Sequence, residues 1–321
     1  MQVMSLLPAE RILDAPIPVG WSVVSPPQEE WHLAIAQADF LLGGMTRIPE
    51  HLIGAAERLR LIQLIGAGAN GVDIEAARRR GVPVCNNPGH NDRAVAEYVL
   101  MAILYLARHI GESMQAIWQD EFAEVKIRLA RMPVRQLEDL SVGILGMGRS
   151  GRAVAALLRS CGIGRLCVWS RSPLEERLSY ELGVEQMDLD QLLGSVDVVT
   201  VHLPLTADTR LLLSADKLTQ MRPGSILINT ARGEIVDEEA LAWLLENEHL
   251  QGAAVDVYSE EPPLASHPLL SSPKLADKVM LTPHVAGVTS RSWSSMLEAA
   301  FANMIRVAEG LEPLNRVDTK C

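Results

Sequence analysis

Three polar residues in the second half of the chain are of the types that move protons and bind anions: Arg232 in INTARGEIVDEEAL, Glu261 in VDVYSEEPPL and His284 in LTPHVAG. Each follows a short apolar run that reads as a buried strand, at 226–229, 253–256 and 279–281. Taken singly they are a surface arginine, a solvated glutamate and a capping histidine. At successive strand ends of one sheet they form a candidate active site, because ligands of open α/β sheets bind at the carboxyl ends of the strands. The three types suit one reaction. Hydride transfer to a ketone carbon needs a proton donor for the developing alkoxide, and histidine titrates near neutrality. A carboxylate beside it favours the imidazolium and fixes the ring. An arginine offers a planar fork that binds carboxylate oxygens and polarises the ketone. Together the three suggest a 2-keto acid being reduced to a 2-hydroxy acid.

A hydride carrier needs its own site, and SVGILGMGRSGRAV (141–154) has the pattern for one. The apolar run 142–145 precedes Gly146, Gly148 and Gly151 in the spacing G-x-G-x-x-G, and a helical pattern follows over 152–160. The first glycine permits a tight turn, the second lets a pyrophosphate approach the backbone, and the third lets helix and strand pack closely. Phosphates then lie at a helix N-terminus, where free N–H groups and the dipole favour negative charge. A bare G-x-G-x-x-G is weak; with strand, turn and helix all present, dinucleotide binding is expected.

The elements that must position these residues alternate in β/α fashion along the chain. Strands are expected at 3–7, 21–24, 40–42, 61–64 and 82–85, with helices at 29–38, 50–58 and 74–80. A second series has strands at 142–145, 166–169, 196–201, 226–229, 253–256 and 279–281, with helices at 152–160, 175–182, 237–247 and 291–310. The fold class is therefore α/β, with two doubly wound parallel sheets. Between the series lie a helix over 92–108, apolar almost all round and so buried or shared, and a polar, basic segment over 112–140. Arg128, Arg131 and Arg135 of that segment, which also carries Trp118, are either a solvated face or reach towards an anionic ligand. Two loops at strand ends, Gly43–Arg47 (GGMTR) and IGAGANGV after 61–64, are flexible turns or backbone cradles for a small anion such as a carboxylate.

With 321 residues, two domains are expected. A hydrophobic content of 48% with 21% charged residues fits a globular enzyme rather than a disordered chain. The net charge of −11 argues against a nucleic-acid or anionic-membrane surface. No apolar run approaches the roughly 18 residues of a membrane span, and MQVMSLLPAE lacks the basic start of a signal peptide. Cys85, Cys161, Cys167 and Cys321 form no C-x-x-C pair and no zinc spacing, so free thiols, no metal and a cytoplasmic location are expected. Cys85 and Cys167 read as small core residues, and Cys321 as exposed.

Beyond these local readings, the chain resembles the D-isomer-specific 2-hydroxyacid dehydrogenases, the family of D-lactate, glycerate, 3-phosphoglycerate and glyoxylate/hydroxypyruvate enzymes. The resemblance covers nearly the whole chain, through GAGANGVDIEAARRRGVPVCNNPG, AVAEYVL, VGILGMGRSG, VTVHLPLTADTRLLL, MRPGSILINTARGEIVDEEAL, GAAVDVYSEEPPLASHPLL and LTPHVAGVT in that order. It implies His284 as acid/base, Glu261 as its partner and Arg232 as the substrate-binding arginine. The cofactor is then bound by Gly146, Met147, Gly148, Arg149, Ser150 and Gly151 of the glycine turn, and by Ser170, Arg171 and Ser172 after the next strand. His202, Leu203, Pro204 and Thr209 flank it, as do Thr230, Ala231, Arg232, Asp256, His284 and Gly287, with Asp256 on the nicotinamide carboxamide. Substrate is implied to meet Met45, Ala67, Gly68, Arg232 and His284. A flavodoxin-like substrate domain (1–97 with 287–321) would hold an inserted Rossmann NAD(P) domain (98–286), with hinge helices near 92–108 and 288–310 and closure that expels water. The 112–140 segment normally helps to form a homodimer.

Three departures from the family pattern bear on specificity. The acidic residue that usually binds the adenine ribose hydroxyls is absent, and Ser170, Arg171 and Ser172 stand at that strand end. A carboxylate would repel a 2′-phosphate and an arginine binds it, so NADPH is the expected cofactor, with NAD as the second choice. The usual aspartate after the GAG turn is Asn70, and the usual glycine before the nucleotide strand is Asp139. The pocket for the substrate side chain, with Met45, Thr46 and Arg47, matches no one member; Arg47 directed into the cleft would favour a second anionic group. A phosphite- or 3-phosphoglycerate-type dehydrogenase is the alternative within the family. C-terminal-binding corepressors share the fold and triad but carry extra tails and the acidic residue, and formate dehydrogenases have glutamine where Glu261 stands.

Overall fold

The computed structural model describes residues 1–44, 46–131 and 134–318, so Met45 and Cys321 lie outside the described residues. The chain divides into two compact units, Met1–Asn91 with Val288–Cys321, and Asp92–Gly287. The sequence boundary at 97/98 falls inside a helix that starts at Asp92. Val95, Ala96 and Val99 of that helix share a core with Val142 and Val154, so the helix belongs whole to the second unit.

The first unit opens with β1 (Gln2–Ser5), β2 (Ser22–Val24), α1 (Trp31–Gln37), β3 (Phe40–Gly43), α2 (Glu50–Gly54), β4 (Leu61–Leu64), α3 (Ile74–Arg79) and β5 (Val84–Cys85). Its sheet has the order β2-β1-β3-β4-β5, with every pair parallel. This is the flavodoxin-like order. Period-two alternation divides the strand side chains between two cores. Met4, Leu41 and Ile62 pack on one face, and Val3, Phe40 and Leu61 on the other. β5 is shorter than the expected 82–85 because Pro83 has no N–H to give a ladder; its carbonyl accepts from Ile62 instead, at 3.0 Å. α2 stops at Gly54 rather than 58, where a glycine weakens the helix and Arg58 turns to bind Asp39 at 2.9 Å.

The second unit begins with α4 (Asp92–Ala107), α5 (Ile110–Trp118), α6 (Phe122–Arg131), β6 (Ser141–Leu145), α7 (Arg149–Ser160), β7 (Arg165–Trp169), α8 (Glu176–Leu182) and β8 (Val184–Gln186). It continues with α9 (Leu189–Ser195), β9 (Val198–Val201), α10 (Ala215–Thr219), β10 (Ser225–Asn229), α11 (Glu238–Glu246), β11 (Leu250–Val255), α12 (Pro268–Ser271) and β12 (Val279–Leu281). The sheet order is β12-β11-β10-β9-β6-β7-β8. Numbered within the unit this is the Rossmann order 3-2-1-4-5-6 with a seventh strand added, and the order reverses between β6 and β9. The chain then returns to the first unit as α13 (Ser290–Ala308), whose Met296, Leu297, Ala300, Phe301 and Met304 join the core of Phe40.

The polar, basic segment 112–140 carries the helices α5 and α6. Arg128 pairs with Glu112. Arg135 and Arg222 both bind Asp197, 2.5 and 2.7 Å away, at the start of β9. That is the end of the sheet opposite the strand carboxyl ends, so Arg135 serves the fold. Asp139 closes a capping box with Gln136. Cys85 and Cys167 are buried free thiols and Cys161 an exposed one. Among the described residues, no single helix is long and apolar enough to cross a membrane.

Candidate active site

Strand register brings the chemistry to one level of the second unit. Leu145 pairs with Trp169 and Val201, Asn229 with Val201 and Val255, and Val255 with Leu281. The ladder runs one residue further. The N–H of His202 donates to Leu145 O (2.8 Å), that of Asp256 to Asn229 O (3.0 Å) and that of Thr282 to Val255 O (3.1 Å). The residues that follow each strand therefore start from fixed backbone, which keeps the polar side chains beyond it in register.

His284 stands two residues past that level with φ 56°, a left-handed conformation that non-glycine residues seldom adopt. Asp256 holds it there. The Asp256 carbonyl accepts the His284 N–H at 2.8 Å, and its carboxylate accepts the N–H groups of Val285 and Ala286, each at 2.8 Å. The Thr282 hydroxyl donates to the same carboxylate at 2.5 Å and lies 2.6 Å from the Tyr98 hydroxyl on α4. Burial pushes the Asp256 carboxyl above its usual range, against these donors. Strain of this kind persists where surrounding bonds over-determine it, and it is concentrated at functional sites.

Glu261 reaches His284 from the turn after β11: Oε2 lies 2.9 Å from His284 Nδ1, and Oε1 accepts the N–H of Tyr258 at 3.0 Å. Burial pushes the Glu261 carboxyl up, but the bonds from His284 and Tyr258 and the charges of His284 and Arg232 outweigh it and hold it below the ordinary range. Glu238, at the start of α11, steadies this turn by accepting the Ser259 N–H at 3.1 Å. Arg232 lies in the turn after β10. Buried Asn229 shapes that turn, accepting the Ala231 N–H at 3.0 Å and donating to Arg232 O at 2.9 Å. A side chain at Gly233 would come within 2.0 Å of the Tyr258 carbonyl carbon, so the arginine turn and the glutamate turn touch backbone to backbone. Burial lowers the Arg232 guanidinium from its usual range, while the Glu261 and Glu234 charges oppose the fall. Sequence reading missed Asn229, Gly233, Glu238 and Thr282; a polar residue closing an apolar strand run is the signal that marks Asn229.

The glycine turn is tight and closely packed. Gly146 has φ 100°, and a Cβ at Gly151 would lie 2.0 Å from Gly146 O, so the helix seats directly on the turn. Gly148 caps α7 with nothing within 4 Å of where a Cβ would stand. Met147 and Leu203 are buried in the cores and offer backbone rather than side chain. Arg149 is paired with Asp92 at 3.2 Å. The Ser150 hydroxyl lies 3.1 Å from His202 Nδ1, and Thr200 Oγ1 lies 2.9 Å from Nε2; burial pushes the His202 ring down to about 4, keeping it neutral. The Thr209 hydroxyl is used inside its own loop, donating to Pro204 O at 2.7 Å and accepting from Thr206 N at 2.8 Å. Thr230 Oγ1 is buried without a partner, and Ala231 beside it is buried. An open helix N-terminus, an orphaned hydroxyl and level strand ends fit a bound dinucleotide. Ser170, Arg171 and Ser172 follow β7, and Gly287 closes the unit beyond His284.

Ala67 and Gly68 lie in the first unit, in the loop after β4, where Asn86 Nδ2 donates to Ala67 O at 2.6 Å. The two glycine-rich loops of that unit meet through a parallel bridge between Ile48 and Val72.

A Rossmann sheet carrying a dinucleotide turn and a Glu–His pair at its strand ends defines a nicotinamide-dependent dehydrogenase. Residues 100–286 match the family described as D-isomer specific 2-hydroxyacid dehydrogenase, NAD binding domain. The chain is 36% identical over 302 residues to a glyoxylate reductase of Aeropyrum pernix, covering 93% of this chain and 88% of that protein. It is 32% identical over 295 residues to a D-3-phosphoglycerate dehydrogenase of Escherichia coli, covering 90% of this chain and 69% of that one. In fold it is similar to a D-lactate dehydrogenase of Aquifex aeolicus, with a TM-score of 0.84 at 24% identity and complete coverage of both chains. The chain belongs to the D-isomer specific 2-hydroxyacid dehydrogenase family and is an NAD(P)-dependent enzyme of it.

Proposed function

We propose that this enzyme reduces a small 2-keto acid of the glyoxylate or hydroxypyruvate type to the D-2-hydroxy acid, with NADPH as its preferred cofactor. The observation that carries the reading is the 2.9 Å contact between His284 Nδ1 and Glu261 Oε2, on a backbone held left-handed by Asp256. With the Nδ1 proton engaged by Glu261, Nε2 is the nitrogen left to act on substrate. When bound, NADPH supplies the hydride. His284 Nε2–H donates its proton to the carbonyl oxygen as negative charge grows there, leaving a neutral imidazole whose Nδ1–H stays with Glu261. Arg232 binds the substrate carboxylate and draws charge towards the carbonyl oxygen. Ala67 and Gly68 are assigned to substrate binding through backbone N–H groups. The glycine turn 146–151 and Thr230 are assigned to the pyrophosphate and its neighbourhood.

The NADPH preference is supported by Ser170, Arg171 and Ser172 at the end of β7, with no carboxylate among them. A homodimer is supported by the exposed apolar side chains Met114, Ile117, Trp118, Phe122 and Ile127 of α5 and α6. The similarity to D-3-phosphoglycerate dehydrogenase favours a second reading, in which the substrate bears an additional phosphate. The test is a panel of glyoxylate, hydroxypyruvate, pyruvate, phenylpyruvate and, in the oxidative direction, D-3-phosphoglycerate, each with both cofactors. Highest kcat/KM for glyoxylate or hydroxypyruvate with NADPH is expected. Absence of turnover on every keto acid overturns the reading, and so does a clear preference for NADH.

A further inference from the structure

We infer that Gln186, on the edge strand β8, is a specificity-determining positioning residue that holds the loop bearing Arg171 in the form that receives the 2′-phosphate of NADPH. The inference rests on the NADPH reading above and adds to it a residue outside the loop.

β8 is the last strand of the sheet and pairs with β7 alone, setting Gln186 opposite Val168. From there its side chain reaches past the end of β7 and takes hold of the loop at three points. Oε1 accepts the Leu174 N–H at 2.8 Å, and Nε2 donates to Ser170 Oγ and to Ser172 O, both at 3.1 Å. The Ser170 hydroxyl in turn donates to Ser172 O at 2.6 Å. One amide thus closes the stretch 170–174 at both ends and in its middle. Arg171 lies inside the closed stretch, exposed, and among the described residues it has no ion-pair partner. A cation left unpaired on a braced turn is available to an incoming anion.

The residue type follows from the partners. The Leu174 N–H needs an acceptor and the Ser172 carbonyl needs a donor, and a primary amide of this length supplies both. Glutamate would keep the first bond, lose the others and add a charge that repels phosphate. Holding an exposed arginine loop in its binding form before ligand arrives removes ordering entropy that binding would otherwise have to offset. NADH has no 2′-phosphate and makes no demand on Arg171, so the brace should tell between the two cofactors rather than help both.

The test is calorimetric titration of the full-length protein and its Gln186→Met, Gln186→Glu and Arg171→Ala variants with 2′,5′-ADP and with 5′-AMP. Steady-state KM and kcat for NADPH and NADH are measured alongside. Gln186→Met is expected to weaken 2′,5′-ADP binding about five- to tenfold, and Gln186→Glu to weaken it further. Binding of 5′-AMP, KM for NADH and kcat are expected to stay as in the parent protein. If Arg171→Ala weakens 2′,5′-ADP and Gln186→Met does not, the role of Gln186 is overturned while the NADPH reading stands. If Gln186→Met weakens both nucleotides equally, Gln186 is a structural residue and the inference fails. If the parent protein binds 2′,5′-ADP no more tightly than 5′-AMP, the NADPH reading fails and the role of Gln186 with it.

Discussion

His284 Nδ1 and Glu261 Oε2 stand 2.9 Å apart, with side chains 29% and 28% exposed, and they are joined across 23 residues of sequence. The pair is half-withdrawn from water, with one ring nitrogen engaged by a carboxylate. This arrangement fixes the ring and leaves Nε2 as the nitrogen free to face substrate.

The pair has a pH signature. Partners hold the Glu261 carboxyl below its ordinary range, so the folded protein binds this proton less readily than the unfolded chain. The carboxylate therefore contributes stability that is fully present above the unfolded value of about 4.3 and lost as pH falls through the lower folded value. Thermal denaturation of the parent and Glu261→Gln proteins from pH 7 to pH 3 should give a constant gap in Tm above about 4.3 and a closing gap below it. A gap that widens as pH falls contradicts the assignment.

The two residues should separate kinetically. His284→Gln removes the proton donor and is expected to lower kcat by roughly 10²- to 10⁴-fold. Glu261→Gln can keep a hydrogen bond to the ring but loses the negative charge beside it. Its rate of reduction should fall by less than that of His284→Gln, as kcat on glyoxylate at saturating NADPH measures. Full activity of His284→Gln would refute the acid/base role.

Arg232→Lys retains the charge and loses the planar fork. The cost is expected to be about 1.5–3 kcal/mol in kcat/KM for the keto acid, with the Tm of the parent. Kinetics on glyoxylate at saturating NADPH measure it, and an unchanged kcat/KM would remove Arg232 from substrate binding.

Gly233 is where the arginine turn meets the glutamate turn, and an added methyl would stand 2.0 Å from Tyr258 C and 2.1 Å from Ser259 N. The obstacle is backbone on a loop already held by Glu238. Gly233→Ala should therefore cost about 1–3 kcal/mol or more in chemical denaturation, and it should lower kcat/KM by moving Arg232 away from Glu261. A variant with the parent's stability and activity would show that the contact yields.

Thr282 links Tyr98 to the buried Asp256 carboxylate. Thr282→Val strips a donor from that carboxylate and should cost about 1–3 kcal/mol, against about 1 kcal/mol for Tyr98→Phe. Because the two act along one chain, the double variant should cost less than the sum, as urea denaturation can measure.

How much of this was legible beforehand can be argued from particular residues. The glycine turn was readable because its requirements are local: a turn at Gly146 and a seat for α7 at Gly151 concern residues adjacent in sequence. The alternation of apolar runs foretold two parallel sheets for the same reason, since period and strand composition are properties of short stretches. β8 went unforeseen: Val184–Gln186 is a short, largely polar edge strand that exists only because β7 offers it a partner. The helices α5 and α6 went unforeseen because their apolar side chains are mostly exposed rather than set in a core. Arg135 was open between a solvated face and an anionic ligand until Asp197 appeared beside it at 2.5 Å.

At the site, sequence alone determined which residue types stand after which strands, and hence what chemistry they suit. Tertiary structure alone decided that Glu261 bonds His284 through Nδ1, that Asp256 holds the histidine turn, and that Gly233 joins the turns of Arg232 and Glu261. It also decided that Gln186 braces the loop of Arg171. The reason is physical. These contacts depend on strand register and on hydrogen bonds between residues far apart in the chain, and neither is written in local propensity or spacing.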